Sequence, residues 1–122
     1  MMKGIVRGKA EATMPIRLRG PTGITLQIDA VIDTGFSDYL AVPAEVLEKL
    51  EAPVIHEVSY RLADGSRINS PVCFVELEWH GQWQDVLAAQ FSAVGLVGML
   101  TLRGSAVHID VVAGGAVRID RL

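Results

Sequence analysis

Val31-Ile32-Asp33-Thr34-Gly35-Phe36-Ser37 places an acid where an apolar strand ends. Upstream, Ile24, Leu26, Ile28, Ala30 and Ile32 share one phase of a two-residue repeat, the signature of a strand with a buried face. A carboxylate at the exit of such a strand is costly unless it is hydrogen-bonded or shares a proton. Thr34 supplies a hydroxyl, and Gly35 lets another backbone approach closely. Taken alone, the tripeptide is also compatible with a plain turn after a strand.

The flanking sequence has the layout of an all-β domain, with Gly and Pro punctuating short apolar runs. Ala12, Met14, Ile16 and Leu18 alternate with Thr13, Pro15, Arg17 and Arg19, a half-buried strand. Pro15 cannot donate to a ladder, so an edge or bulge is expected there. Gly20-Pro21-Thr22-Gly23 is a turn. After Pro43, Val46, Leu47 and Leu50 have helical spacing, and Pro53 closes the one short helix of the chain. Residues 56–62 and 67–80 form two strands joined at Ala63-Asp64-Gly65-Ser66. Asp-Gly favours a two-residue turn with both positions at positive φ. His80-Gly81-Gln82 turns the chain, and Trp83 to Ala89 returns. A last hairpin runs from Val107 to Ile119 around Gly114-Gly115.

Leu96-Val97-Gly98 is a second signal: two apolar residues and a glycine that lead into Met99 and a further strand. The order is strand and Asp-Thr-Gly, short helix, hairpin, strand pair, apolar-apolar-Gly, final hairpin. With Leu62-Ala63-Asp64-Gly65-Ser66 and the run from Leu96 to Asp110, it resembles the retropepsin-like single-domain aspartic proteases. The resemblance covers residues 4–119, and Val31 to Phe36 with Tyr39-Leu40 and Pro43 is closest to the microbial branch.

That resemblance implies an all-β acid-protease barrel, one domain over residues 1–122, forming half of a symmetric homodimer. Such enzymes activate water between two carboxylates that share one proton. One Asp-Thr-Gly per chain means that the second carboxylate comes from a second copy, with Asp33 meeting Asp33 at a twofold axis. By the same resemblance, Thr34 braces the loops across the axis and Gly35 offers backbone to the substrate. Ala63, Asp64 and Gly65 form a flap over an extended peptide or unfolded protein. Leu96, Val97 and Gly98 cross behind the active-site loop, and the terminal strands, with residues 118–122, pair across the dimer. Retroviral members carry a small residue and an acid after Asp-Thr-Gly, where this chain has Phe36 and Ser37. They carry arginine and asparagine after the second glycine, where it has Met99 and Leu100. In those members the acid and the arginine pair, so their joint loss leaves no orphan charge. The alternative on the same fold is a non-catalytic dimeric peptide-binding module that holds its ligand by strand addition.

The remaining candidates read as structural. Cys73, between Val72 and Phe74, is a buried inert thiol. His56, His80 and His108 lack a close-spaced second ligand, so no metal or cofactor is expected. Trp79 and Trp83 flank a hairpin turn and pack on each other or in the core. Residues of the AVILMFWYC set make up 50% of the 122, charged residues 20%, and the net charge is −3. That composition excludes disorder and argues against nucleic acid as a partner. One cysteine excludes an internal disulfide framework. No apolar run reaches the roughly 20 residues of a membrane span, and no leader pattern opens the chain. The expectation is a cytoplasmic protein.

Overall fold

Alternation of apolar and polar residues is realised as strand along most of the chain. A computed structural model describes residues 1–8 and 10–122. These are mostly β, with one sheet of ten strands and two short helices. In chain order they are β1 (Met2–Arg7), β2 (Glu11–Arg19), β3 (Thr25–Ile32), β4 (Leu40–Ala41), α1 (Ala44–Lys49) and β5 (Val54–Arg61). There follow β6 (Arg67–Trp79), β7 (Gln82–Ala89), β8 (Gly95–Val97), α2 (Met99–Leu102), β9 (Ser105–Ile109) and β10 (Ala116–Arg121).

The strands lie in the order β5-β6-β7-β4-β8-β3-β2-β1-β10-β9, and β6 also pairs with β2. That extra pairing folds the sheet back on itself through only two residue pairs, Leu18 with Leu77 and Arg19 with Glu76. The expected barrel is therefore a single sheet with two free outer strands rather than a cleanly closed ring. Side chains secure the closure. The Arg19 guanidinium donates to both Glu76 oxygens at 3.0 and 2.9 Å, and Arg17 donates to Glu78 at 2.9 Å. The two guanidiniums stand 4.2 and 5.5 Å from the Trp83 ring centroid. Trp83 thus packs under arginine, while Trp79 is buried in the core.

Within the curl lies one large apolar core. Leu18, Leu40, Leu50, Leu77, Val86, Val97 and Ile119 are all within 2% of complete burial. Met14, Ile16 and Leu18 from β2 and Ala30 and Ile32 from β3 point into it, as their alternation requires. Pro15 pairs with Asp29 of β3, at a point where the other side of β2 is unpaired: β1 reaches only to Thr13 and β6 begins at Leu18. The missing N–H thus costs no ladder bond. Cys73 is buried, its Sγ 3.6 Å from the Ala52 carbonyl, and burial pushes its thiol pKa up.

Two expectations change among the described residues. The helix count is two, not one: after Gly98 the chain makes the single turn α2, because the Thr101, Leu102 and Arg103 N–H groups bond back to Gly98 and Met99. The two-residue turn with both residues at positive φ occurs at His80-Gly81 (51° and 76°), not at Asp64-Gly65. In the latter hairpin only Gly65 is positive, at 86°, and the Gly65 N–H bonds the Leu62 carbonyl. The Asp64 carboxylate accepts from Ser66 N and Oγ at 2.9 and 2.6 Å, which fixes this wider turn. Of the terminal strands, β1 lies between β2 and β10, and β10 between β1 and β9, while Met2 to Gly4 pair with β10 alone and Asp120 and Arg121 with β9 alone. The outer strands are β5 and β9.

α1 also stops without a glycine. Glu51 adopts φ +55°, and the Ala52 N–H reaches back to the Leu47 carbonyl at 3.0 Å, the left-handed stop of a helix C-terminus.

Candidate active site

Asp33 leaves β3 directly beside β8. The two strands run parallel, with Ile32 opposite Val97, and the Asp33 N–H donates to the Val97 carbonyl at 2.9 Å. β8 is pinned on its other side by β4. The Asp33 backbone is therefore held by the Leu96-Val97-Gly98 segment, sixty-odd residues away in sequence.

Gly98 is the tightest point of this arrangement. A Cβ there would stand 2.1 Å from the Asp38 carbonyl oxygen, 2.7 Å from Phe36 Cδ2 and 2.9 Å from the Phe36 carbonyl oxygen. Only a residue without a side chain lets the 33–39 loop lie against the 97–99 segment. Two backbone bonds then close it, Gly98 N–H to Tyr39 O at 2.9 Å and Met99 N–H to Phe36 O at 2.8 Å. The buried Thr101 hydroxyl adds a bond to the Tyr39 carbonyl at 2.8 Å.

The loop presents its carboxylate outward. Asp33 is half-buried, Oδ1 accepts from the Gly35 N–H at 3.0 Å, and Oδ2 has no partner among the described residues. Gly35 thus spends its N–H on Asp33. Thr34 is exposed, and its hydroxyl has no intrachain partner among the described residues.

A cleft of ≈ 260 Å³ opens at Asp33. Gly35, Phe36 and Leu96 line it from the loop side, Tyr60, Arg61, Leu62 and Ala63 from the β5–β6 hairpin, and Phe91 from the chain after β7. Of the expected flap residues, Ala63 shares this cleft with Asp33. Asp64 and Gly65 lie at the exposed tip, outside the lining. Hydrogen bonding to Ser66 holds the Asp64 carboxyl below its usual range. Of the second-glycine residues, Leu96 lines the cleft, while Val97 and Gly98 are buried behind the loop.

Four residues of the cleft and its frame were not singled out in the sequence: Asp38, Tyr60, Arg61 and Phe91. Phe36, Tyr60 and Phe91 form an aromatic wall with ring centroids 5.1 to 5.9 Å apart. The Tyr60 hydroxyl donates to Asp38 Oδ2 at 2.8 Å, and Asp38 Oδ1 accepts from the Tyr39 N–H at 2.8 Å. Burial first, then the Asp38 hydrogen bond and charge, push the Tyr60 phenol far above its ordinary pKa. The local signals were an acid inside the apolar run from Phe36 to Val42, and the in-phase pair Val58 and Tyr60. Neither tells which distant residue it meets.

No helix of the described residues is long and apolar enough to cross a membrane. No family model matches this chain, and no curated protein matches it either.

Proposed function

We propose that the chain is a homodimeric aspartic endopeptidase of the retropepsin-like fold, hydrolysing peptide bonds of extended peptides or unfolded proteins. The observation that carries this reading is the outward Asp33 carboxylate. It sits against a Gly98-dependent backbone frame and opens on a cleft whose opposite wall is a hairpin. One carboxylate per chain is half of the required pair, so the second comes from another copy. Oδ2 of Asp33 and the Thr34 hydroxyl, both without intrachain partners among the described residues, are the groups available across that axis.

In this reading the two Asp33 carboxylates share one proton, because like charges that close cannot both ionise. The ionised member takes a proton from a water held between them, and the oxygen adds to the peptide carbonyl carbon. The protonated member gives its proton to the carbonyl oxygen. The tetrahedral intermediate then collapses as the amide nitrogen is protonated and the C–N bond breaks. The hairpin covers the peptide and excludes water.

Asp33→Asn keeps the shape and removes the shared proton. Cleavage of an unstructured protein or peptide library at mildly acidic pH should fall by about 10²–10⁴-fold, the usual worth of general acid–base catalysis. Undiminished cleavage would end the proposal. Saturable peptide binding by the unaltered protein without turnover at any pH would favour the non-catalytic binding module.

A further inference from the structure

A second concavity lies away from the Asp33 cleft. It shares no lining residue with that cleft, and it measures ≈ 380 Å³. Three elements build it: the β6–β7 turn with His80, the residues just after α2 with Arg103, and the end of β10 with Arg121. Short polar contacts tie these together. His80 Nε2 lies 2.8 Å from Ser105 Oγ, the Leu122 N–H bonds the Gly104 carbonyl at 3.0 Å, and Arg121 reaches the His80 carbonyl at 3.4 Å.

The chemistry of this corner differs from that of the whole chain. The protein carries a net charge of −3. Here Arg103 and Arg121 meet a single carboxylate, Asp85, and among the described residues neither arginine has an acid within 4.0 Å. By contrast Arg7, Arg17 and Arg19 are each paired. The His80 imidazole is held below its ordinary pKa by burial first, then by the charges of Arg121 and the N-terminus, with Asp120 pulling the other way. The wall also includes Trp79, 5% exposed, whose indole N–H is buried without an acceptor. Guanidiniums offer forked donors that suit planar and tetrahedral oxyanions.

We infer that this cavity binds a small oxyanion, a carboxylate or a phosphate, through Arg103 and Arg121. The site is separate from Asp33 and is independent of the peptidase reading.

The chain has two tryptophans, and both line this cavity. Intrinsic fluorescence of the full chain therefore reports on it. The protein is titrated with inorganic phosphate and, separately, with succinate, at ionic strength held constant with chloride. A saturable change with either is expected, and the stronger of the two names the anion. Arg103→Gln and Arg121→Gln should each weaken it by about tenfold or more, the usual worth of a charge-assisted hydrogen bond. Arg103→Gln removes no intrachain side-chain bond found among the described residues, so it keeps the test valid if the Arg121 variant loses stability. No saturable response to either anion, an equal response to chloride alone, or an unchanged response in Arg103→Gln would overturn the inference.

Discussion

The Tyr60 phenol donates a 2.8 Å hydrogen bond to Asp38 Oδ2, tying β5 to the loop that carries Asp33. The two residues are 22 positions apart, and Tyr60 also lines the cleft. The bond is reinforced by tilted and edge-to-face contacts among Phe36, Tyr60 and Phe91. The hairpin is thus anchored at its base while its tip, residues 62–66, is exposed.

Tyr60→Phe keeps the aromatic wall and deletes the donor. Asp38 then retains only the Tyr39 N–H. Stability should fall by about 1.5–3 kcal/mol, the range for a hydrogen bond to a charged group, measured by urea unfolding. Amide exchange over residues 61–67 should quicken more than in the core strands. Unchanged exchange there would show that the aromatic packing alone anchors the hairpin.

The same phenol sets an alkaline limit. Its pKa is raised in the folded protein, so the folded state holds the proton more tightly than the unfolded state. The resulting stability is fully present below the ordinary phenol value of about 10, and it is lost as pH rises above that value. Absorbance titration of the two tyrosines should show one that resists ionisation until unfolding. In Tyr60→Phe that resistant phenol should be gone and the alkaline loss of stability shallower.

His80 acts in the opposite direction. Burial, then the Arg121 charge, lowers its pKa, so the folded state favours the neutral ring. That contribution is present above the ordinary histidine value of about 6.5 and is lost as pH falls below it. His80→Asn, which tolerates the left-handed backbone seen here at φ 51°, should flatten the fall in urea midpoint between neutral and mildly acidic pH. An equal fall in the variant would assign the acid sensitivity to other groups.

Much of this architecture could be read before any coordinates, and the reasons are local. β2 and β3 follow from alternation because one of their faces is buried. Asp33 and Gly98 stood out because each breaks its surroundings: an acid ends an apolar strand, and a glycine interrupts an apolar run. The Tyr60–Asp38 bond and the place of Phe91 were not legible, since they depend on how the hairpin folds over the loop. The turn assignment failed for a related reason. Asp-Gly favours positive φ at both positions, but Ser66 captures the Asp64 carboxylate and stabilises a wider turn. His80 adopts positive φ because β6 and β7 are in register up to Trp79 and Gln82. The place of β1 and β10 within the sheet is likewise a property of topology, which strand patterns do not encode.

Two backbone substitutions separate crowding from conformation. Gly98→Ala would drive a methyl into the Asp38 and Phe36 carbonyls. The loss should be at the upper end of overpacking, about 3 kcal/mol, with the 33–39 loop displaced. Glu51→Gly relieves a side chain held at φ +55° after α1. It should stabilise by roughly 0.5–1 kcal/mol. Urea midpoints measure both. A neutral Gly98→Ala would mean that the 33–39 loop does not depend on close approach.

The central claim concerns a pair of carboxylates, and the distance between them tests it most directly. In a crystal of the unaltered protein, the account predicts a twofold dimer with the two Asp33 carboxylates within hydrogen-bond reach, about 3 Å apart. Side chains far apart in every assembly of the protein, or a chain that remains monomeric at all concentrations, would contradict it.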